Sequence, residues 1–452
     1  MTFDHAHWQA RLATLRVAHR VPGASLAVLA DGEIHEFATG VLNLRTGVTA
    51  TPDSIFQVGS IGKLYTATLI MQHVAAGDLE LDTPVVDVLP EFAVADAEAT
   101  KTITIRHLLQ HTSGMGGDFF LDTGRGDDCI AKYVAACANL GQNHPPGATV
   151  SYCNSGYTVL GRVIEVLTGQ VWDTALAERL CAPLGLTSTM TLPEDVLRFR
   201  AAMGHIGKLG AEQRLAPRWT LARSAGRPGL ICASAADVIR FVTMHLDQGR
   251  APDGTEILAA EQVAAMQRPE VEVPDRWSSG SRWGLCWRIH DCPGGPMISH
   301  NGTMIGQFAY LRVVPAARLA IVLLTNGGDV RLFHRALLGE LLGELAGIDV
   351  PVFAPPTPPP TVDVRPYVGA YRGEGKAIDV AEHDGVLRIR VENTTNLKDL
   401  HPVSEVDLVP VTDSVFAGRR SDSGPWQPVV FYTLPDGRPY LHTDLRATPK
   451  ID

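Results

Sequence analysis

The 452-residue sequence has no Cys-x-x-Cys pair, no clustered basic run, and no apolar stretch approaching the ~18 residues of a membrane span. Its seven cysteines, at 129, 137, 153, 181, 232, 286 and 292, are scattered and odd in number. They offer neither a disulfide framework nor zinc-ligand spacing, and read as reduced, buried small hydrophobes. The N-terminal Met1-Thr2-Phe3-Asp4-His5-Ala6-His7-Trp8 lacks a basic region followed by an apolar one. No secretory signal is therefore expected, and the expected compartment is the cytoplasm. The net charge of -10 argues against a nucleic-acid partner and favours solubility. His107 and His111 are one helical turn apart, as a metal pair would be, but no third-ligand pattern accompanies them. Neither a metal nor a cofactor is expected.

What is present suits a soluble globular chain, with 45% hydrophobic and 19% charged residues and a length that implies one large domain and a smaller one. An amphipathic helix is expected over residues 4–20, with Trp8, Leu12 and Leu15 on one stripe and Pro22-Gly23 as its stop. Ala24–Ala30 and Ile34–Gly40 flank Asp31-Gly32, a strong hairpin signal, so an antiparallel sheet begins early. A helix from Ser155 to about Leu167 is closed by Gly169. Residues 116–128, rich in Gly and Asp, read as an exposed, mobile loop, and residues 200–228 as irregular. Arg and Trp residues in 216–227 and 276–288 could line a groove, although a solvated or packing role suits any single one as well. Late strands (Met297–His300, Gln307–Val313, Ala317–Thr325) and a helix over Leu332–Leu345 complete a first domain, residues 1–350. Residues 351–361 contain Ala354-Pro355-Pro356-Thr357-Pro358-Pro359-Pro360-Thr361, a stiff linker. Short strands with regular turns then point to a small β-barrel or sandwich over 362–452.

The chain is organised around Gly59-Ser60-Ile61-Gly62-Lys63. Residues three apart on a helix share a face, so the Ser60 hydroxyl and the Lys63 ammonium would sit side by side at a helix N-terminus. A serine is a poor nucleophile until a base lies beside it, and a partly desolvated lysine can serve. Ser-x-x-Lys alone is weak evidence. Tyr152-Cys153-Asn154, after a Pro-Gly turn, adds a phenol that can relay the serine proton and an amide that can hold the lysine or a substrate carbonyl. His300-Asn301-Gly302 adds a strand on which glycine permits close backbone approach.

Together these motifs, in this order and spacing, resemble the serine β-lactamase and penicillin-binding-protein family. The nearest branch is that of class C β-lactamases, D-alanyl-D-alanine carboxypeptidases and related esterases. His107-Leu108-Leu109-Gln110-His111-Thr112-Ser113-Gly114, Pro183-Leu184-Gly185-Leu186 and Leu324-Thr325-Asn326-Gly327 resemble it too, over about residues 5–350. The resemblance implies an α/β (α+β) fold with an antiparallel sheet between helices. It implies Ser60 as the acylated nucleophile, Lys63 and Tyr152 sharing base and acid duties, and Asn154 orienting them. The oxyanion would be held by the backbone N–H groups of Ser60 and Thr303. Asn301 and Gly302 would contact substrate. His300 stands where many members carry a lysine, which weakens the grip on a carboxylate and puts β-lactamase activity in doubt.

Three readings remain. One is a cytoplasmic carboxylesterase. Another is a peptidase or amidase acting on D-amino-acid peptides. The third resembles the stand-alone penicillin-binding-protein-type thioesterases of nonribosomal peptide assembly, the group of the surugamide cyclase. These offload and macrocyclise a peptidyl thioester, presented on a carrier protein, and carry a lipocalin-like β-domain, from which an arginine reaches the cleft. Arg446 in His442-Thr443-Asp444-Leu445-Arg446 is the candidate here. Length, tail and expected location put the third slightly ahead. A non-catalytic protein of this fold would be expected to have lost Ser60 or Lys63.

Overall fold

The computed structural model describes residues 3–207, 210–224, 229–278, 280–395, 398, 403–421 and 424–451. Of the Arg- and Trp-containing segments, 225–227 and 279 lie outside these residues. The N-terminal helix, α1, runs His5–Ala18 and is capped by the Asp4 carboxylate, which accepts from the His7 N–H. Strands β1 (Gly23–Ala30) and β2 (Glu33–Gly40) form the expected hairpin, with Asp31 and Gly32 both at positive φ (52° and 82°). That pair of angles is what a two-residue turn matching strand twist requires.

The long helix α2 (Gly62–Ala76) follows the 3₁₀ turn Gly59–Ile61 and ends at Gly77, which takes a left-handed φ of 79°. Every residue from Gly62 to Met71 is buried. A helix buried on all sides belongs in the middle of a domain, and α2 is packed there against α3 (Asn154–Thr168). Helix α4 (Ala235–Leu246) joins the same layer. Strands β3 (Val271–Glu272), β4 (Arg282–Trp283), β5 (Arg288–Cys292), β6 (Gly295–Met304), β7 (Gln307–Val314) and β8 (Leu319–Thr325) complete an antiparallel sheet. Its order is β2-β1-β8-β7-β6-β5-β4-β3. Helix α5 (Val330–Ala346) closes the far face with α1.

The alternation of side chains along a strand builds two cores at once. Leu26 and Val28 of β1 and Ile321 and Leu323 of β8 point to the α1/α5 layer, whereas Ala27, Leu29, Val322 and Leu324 point to the α2/α4 layer. Covered on both faces, β1 and β8 read as continuous apolar runs.

Residues 351–361 carry no helix or strand. Eight strands then meander in sequence order: β9 (Gly369–Gly373), β10 (Lys376–His383), β11 (Val386–Asn393), β12 (Ser404–Pro410), β13 (Val415–Gly418), β14 (Gln427–Thr433), β15 (Pro439–Thr443) and β16 (Arg446–Pro449). A bridge from Tyr371 to Lys450 and a bond from the Ile451 N–H to the Ala370 carbonyl (2.9 Å) nearly close them into a barrel around Tyr371, Ile378, Phe416, Phe431 and Leu441. The sequence reading missed both closing strands, β9 and β16. Each is short and flanked by glycine or proline, and each is defined by its partner across the seam rather than by alternation of its own.

The barrel is docked on residues 143–152. Tyr440 Oη donates to the Asn143 carbonyl (3.1 Å), His442 Nε2 to that of Val150 (3.2 Å), and the Ala447 N–H to Ser151 Oγ (3.2 Å). Net contributions near 1 kcal/mol per bond are typical of such contacts.

Among the described residues, His442, His245 and His144 are buried with no carboxylate hydrogen-bonded to them, and burial holds the first two down to about 3 and the third to about 4. Unfolded, each would titrate near 6.5. Below that pH the unfolded chain binds protons that the folded chain does not, so stability must fall as pH drops from about 6.5 towards 4. Denaturant midpoints at pH 8, 6.5 and 5 should decrease over the last interval. A flat profile would mean that these rings are protonated without cost in the fold.

Candidate functional site

Two glycines let strand β6 lie flush against the turn that carries Ser60. Gly59 has φ 53°, and a Cβ there would come within 2.8 Å of the Thr303 nitrogen. A Cβ on Gly302 would lie 1.9 Å from the Val58 carbonyl oxygen and 3.1 Å from the Ser60 nitrogen. The backbone nitrogens of Ser60 and Thr303, the expected oxyanion donors, therefore border one junction.

The turn into α2 sets Ser60 and Lys63 on one side. Lys63 Nζ lies 3.1 Å from Ser60 Oγ and donates to Asn154 Oδ1 at 2.8 Å. The lysine side chain is buried among aromatics, with its Nζ 4.9 Å from the Tyr152 ring centre and 5.6 Å from that of Tyr157. Asn154 is the first residue of α3. The cap is Cys153, whose Sγ accepts from the Gly156 N–H (3.2 Å), leaving the asparagine amide free to bridge. Burial pushes the Cys153 thiol up to about 11, so it is no competing nucleophile.

Tyr152 is held from three sides. Its N–H donates to the Leu445 carbonyl (2.8 Å), its ring lies 4.2 Å from that of His111, and it joins Val150, Val273, Trp283 and Leu445 in an apolar cluster. The Cys153 N–H donates to His111 Nδ1 (3.0 Å), which fixes this imidazole as an acceptor at that atom. Burial first, then the charges of Lys63, Arg446 and Arg288 with His300, keep it neutral. His107 Nδ1 accepts from the Thr104 N–H (3.2 Å) in a helix cap. Both histidines of the would-be metal pair are thus committed to backbone.

His300 is fully buried beside Trp283 (ring centres 6.1 Å apart). Its Nδ1 donates to the Asn301 carbonyl (2.9 Å), so Nε2 carries a lone pair. Burial first, then the positive charges of Arg288 and Lys63, hold it well below the usual histidine range. Among the described residues, His300 Nε2, Tyr152 Oη and His111 Nε2 of this cluster are among the buried polar atoms without a hydrogen-bond partner. A reacting group can supply a partner to the first two.

Two expectations change. Asn301 does not turn its side chain to this cluster. Its Oδ1 accepts from Arg312 (2.7 Å) on the sheet face that packs under α5, because neighbours on a strand point oppositely. Residues 116–121 are not an exposed loop. Gly116 and Gly117 are buried, the Gly117 carbonyl accepts from the N–H groups of Asn154 and Ser155, and Phe119 and Leu121 pack on the core. Only about residues 122–128 face solvent. This brings in Asp118, which the sequence reading passed over. Its Oδ1 accepts from Asn154 Nδ2 (2.8 Å), and it binds Arg446 through Nε (3.1 Å) and Nη2 (2.8 Å). The signal was Phe119-Phe120, an aromatic pair that a solvated loop does not carry.

A family model described as beta-lactamase matches residues 8–342. The chain belongs to this family. It is 56% identical to penicillin-binding protein 4 of Amycolatopsis lactamdurans over 383 residues, 83% of this chain and all of that one. It is 32% identical to esterase EstB of Burkholderia gladioli over 350 residues, 68% of this chain and 86% of that one. Among solved structures it is similar to SurE (29% identity, TM-score 0.78) and to SurE with D-Leu (28%, 0.77), with 99% of both chains covered each time. As a member of this family the chain is a serine hydrolase or acyltransferase.

If the assigned roles hold, Ser60→Ala abolishes turnover with the melting temperature unchanged, and Lys63→Ala and Tyr152→Phe each slow acylation by about 10²-fold or more. Stopped-flow acylation alongside thermal unfolding checks this. An unaltered acylation rate in any of the three would remove that residue from the mechanism.

Proposed function

We propose that the chain is a stand-alone penicillin-binding-protein-type thioesterase that releases and macrocyclises a nonribosomal peptide through acyl-Ser60. The observation that carries this reading is the similarity to SurE, a surugamide cyclase, over 99% of both chains, barrel included. The position of Arg446 in the cluster supports it, as does D-Leu in one SurE structure, which favours a D-residue at the acyl end.

In this mechanism Ser60 Oγ attacks the thioester carbonyl while its proton passes to Tyr152 as the phenolate or to Lys63 as the neutral amine. The N–H groups of Ser60 and Thr303 hold the oxyanion. The carrier thiol takes a proton and leaves. The peptide's own amine then attacks the acyl ester, an amide bond forms, its proton is taken up, and Ser60 is restored.

A pocket of about 140 Å³ is lined by Asp122, Arg125, Thr191, Pro193, Trp219–Arg223, Leu230 and Cys232. Ile231, between the last two of these, accepts at its carbonyl from the Val58 N–H (2.9 Å). Its arginines are already paired, Arg125 with Glu194 and Arg223 with Asp127 and Asp173. Trp219, Leu221 and Leu230 therefore suit an uncharged side chain of the acyl residue. A hydrolase without cyclase activity is the second reading, favoured by the esterase and penicillin-binding-protein relatives.

Intact-protein mass spectrometry after mixing with a peptidyl thioester ending in a D-residue separates the two. The cyclase reading expects a mass shift on Ser60 and cyclic product. Linear acid alone would assign a hydrolase, and no shift with rapid p-nitrophenyl ester cleavage an esterase.

A further inference from the structure

A continuous run of polar contacts links the barrel to Ser60. Arg446 opens the closing strand β16, just after a turn in which Asp444 and Leu445 both take positive φ (49° and 63°). Neither is glycine, and a left-handed pair of this kind persists only where the surroundings impose it. Here the Leu445 carbonyl accepts the Tyr152 N–H and its side chain fills the Tyr152 cluster. Arg446 Nη1 donates to the Asp444 carbonyl (3.0 Å), and Nε and Nη2 both bind Asp118. The guanidinium carbon also stands 4.9 Å from the Tyr152 ring centre.

The donor and acceptor inventory dictates the order of these groups. Guanidinium and ammonium groups only donate, and an ionised carboxylate only accepts. Burial alone would raise the Asp118 carboxyl, but Arg446, the Asn154 amide and Lys376 together hold it below its usual value. An amide between this carboxylate and Lys63 can satisfy both only with NH₂ towards Asp118 and oxygen towards Lys63. That is the orientation found, at 2.8 Å on each side.

We infer that Asp118, clamped by Arg446 of the barrel, is a positioning residue that fixes the Asn154 amide and through it Lys63 Nζ beside Ser60. Arg446 acts in this way through the protein rather than as a direct substrate contact, with three of its N–H donors already used internally. The inference rests on the roles given to Ser60 and Lys63 above. Without the carboxylate the amide can turn over, set its NH₂ against the ammonium, and displace Nζ from Ser60.

The test uses the full-length chain, p-nitrophenyl ester kinetics normalised to titrated active sites, and thermal unfolding in parallel. Asp118→Ala and Arg446→Gln should each lower kcat about 10- to 10²-fold with KM within about twofold, as misplacement of a reacting group by an ångström does. The double variant should be no worse than the poorer single, since both cut one chain. Arg446→Lys, which keeps the charge but loses the fork, should fall between wild type and Arg446→Gln. Asp118→Asn keeps the side-chain shape and guards against an unfolded alanine variant, with an expected kcat loss of about tenfold at unchanged melting temperature. A raised KM with unchanged kcat in the Arg446 variants, multiplying effects in the double, or unchanged kcat in Asp118→Asn overturns the inference. Ser60→Ala runs beside these. If it still acylates, the nucleophile assignment falls as well, whereas an inactive Ser60→Ala confines any failure to Asp118.

Discussion

The site depends on one steric fact, that β6 can approach the Ser60 turn closer than any side chain would allow. Gly302 carries the approach on one side and Gly59, at positive φ, on the other. A methyl group at Gly302 would meet the Val58 carbonyl oxygen at 1.9 Å, and that neighbour is backbone, not a flexible tip. The strand would have to move away, taking the Thr303 nitrogen and His300 with it. The helix α2 and the strands β6 and β7 pack on this junction. The turn and the helix after it bring Ser60 and Lys63, the strand brings His300 and the Thr303 N–H, and the segment that leads into α3 brings Tyr152 and Asn154.

A second constraint follows from burial. Lys63 is only 2% exposed, and a buried ammonium is tolerated when its hydrogen-bonding capacity is met. Among the described residues no carboxylate touches it. Its contacts are Ser60 Oγ, Asn154 Oδ1 and two aromatic faces, and the nearest carboxylate in the network, Asp118, acts one amide away. A carboxylate in direct contact would draw the ammonium towards itself. With an amide between them, Nζ can lie between Asn154 and Ser60. The barrel then ceases to be a separate appendage, because its Arg446 neutralises the charge at the end of this chain of contacts.

Much of this was legible in the sequence, for reasons specific to each element. The hairpin at Asp31-Gly32 and the helix stop at Gly169 are local, so residue type determines them. Ser60, Lys63, Tyr152 and Asn154 converge because their motifs sit at the ends of long, regular elements. Asn301 failed because a motif on a strand mixes two faces, and only the register with Arg312 shows which way it points. Asp118 failed because glycine and aspartate counts described residues 116–128 as one solvent loop, whereas its first half is pulled inward by Phe119 and Leu121. The closing strands β9 and β16 failed because pairing across a barrel seam leaves no periodicity within either strand. Only for the closing strands, Tyr371 against Lys450, does the deciding contact lie far away in sequence.

His300 adds a constraint on what can bind. A lysine in this place would donate hydrogen bonds and carry permanent charge. The imidazole does neither towards the cluster, since Nδ1 is committed to the Asn301 carbonyl and Nε2 presents a lone pair. Positive charge is not missing from the neighbourhood, because Arg288 adds to the burial that holds His300 down, but that guanidinium packs on Trp283 at 5.3 Å. The strand therefore offers an acceptor where a carboxylate-gripping site offers a donor. A ligand group that satisfies Nε2 must bring its own hydrogen, as an amide, hydroxyl or amine does and an ionised carboxylate cannot. This polarity favours acyl donors whose recognition does not require a free carboxylate.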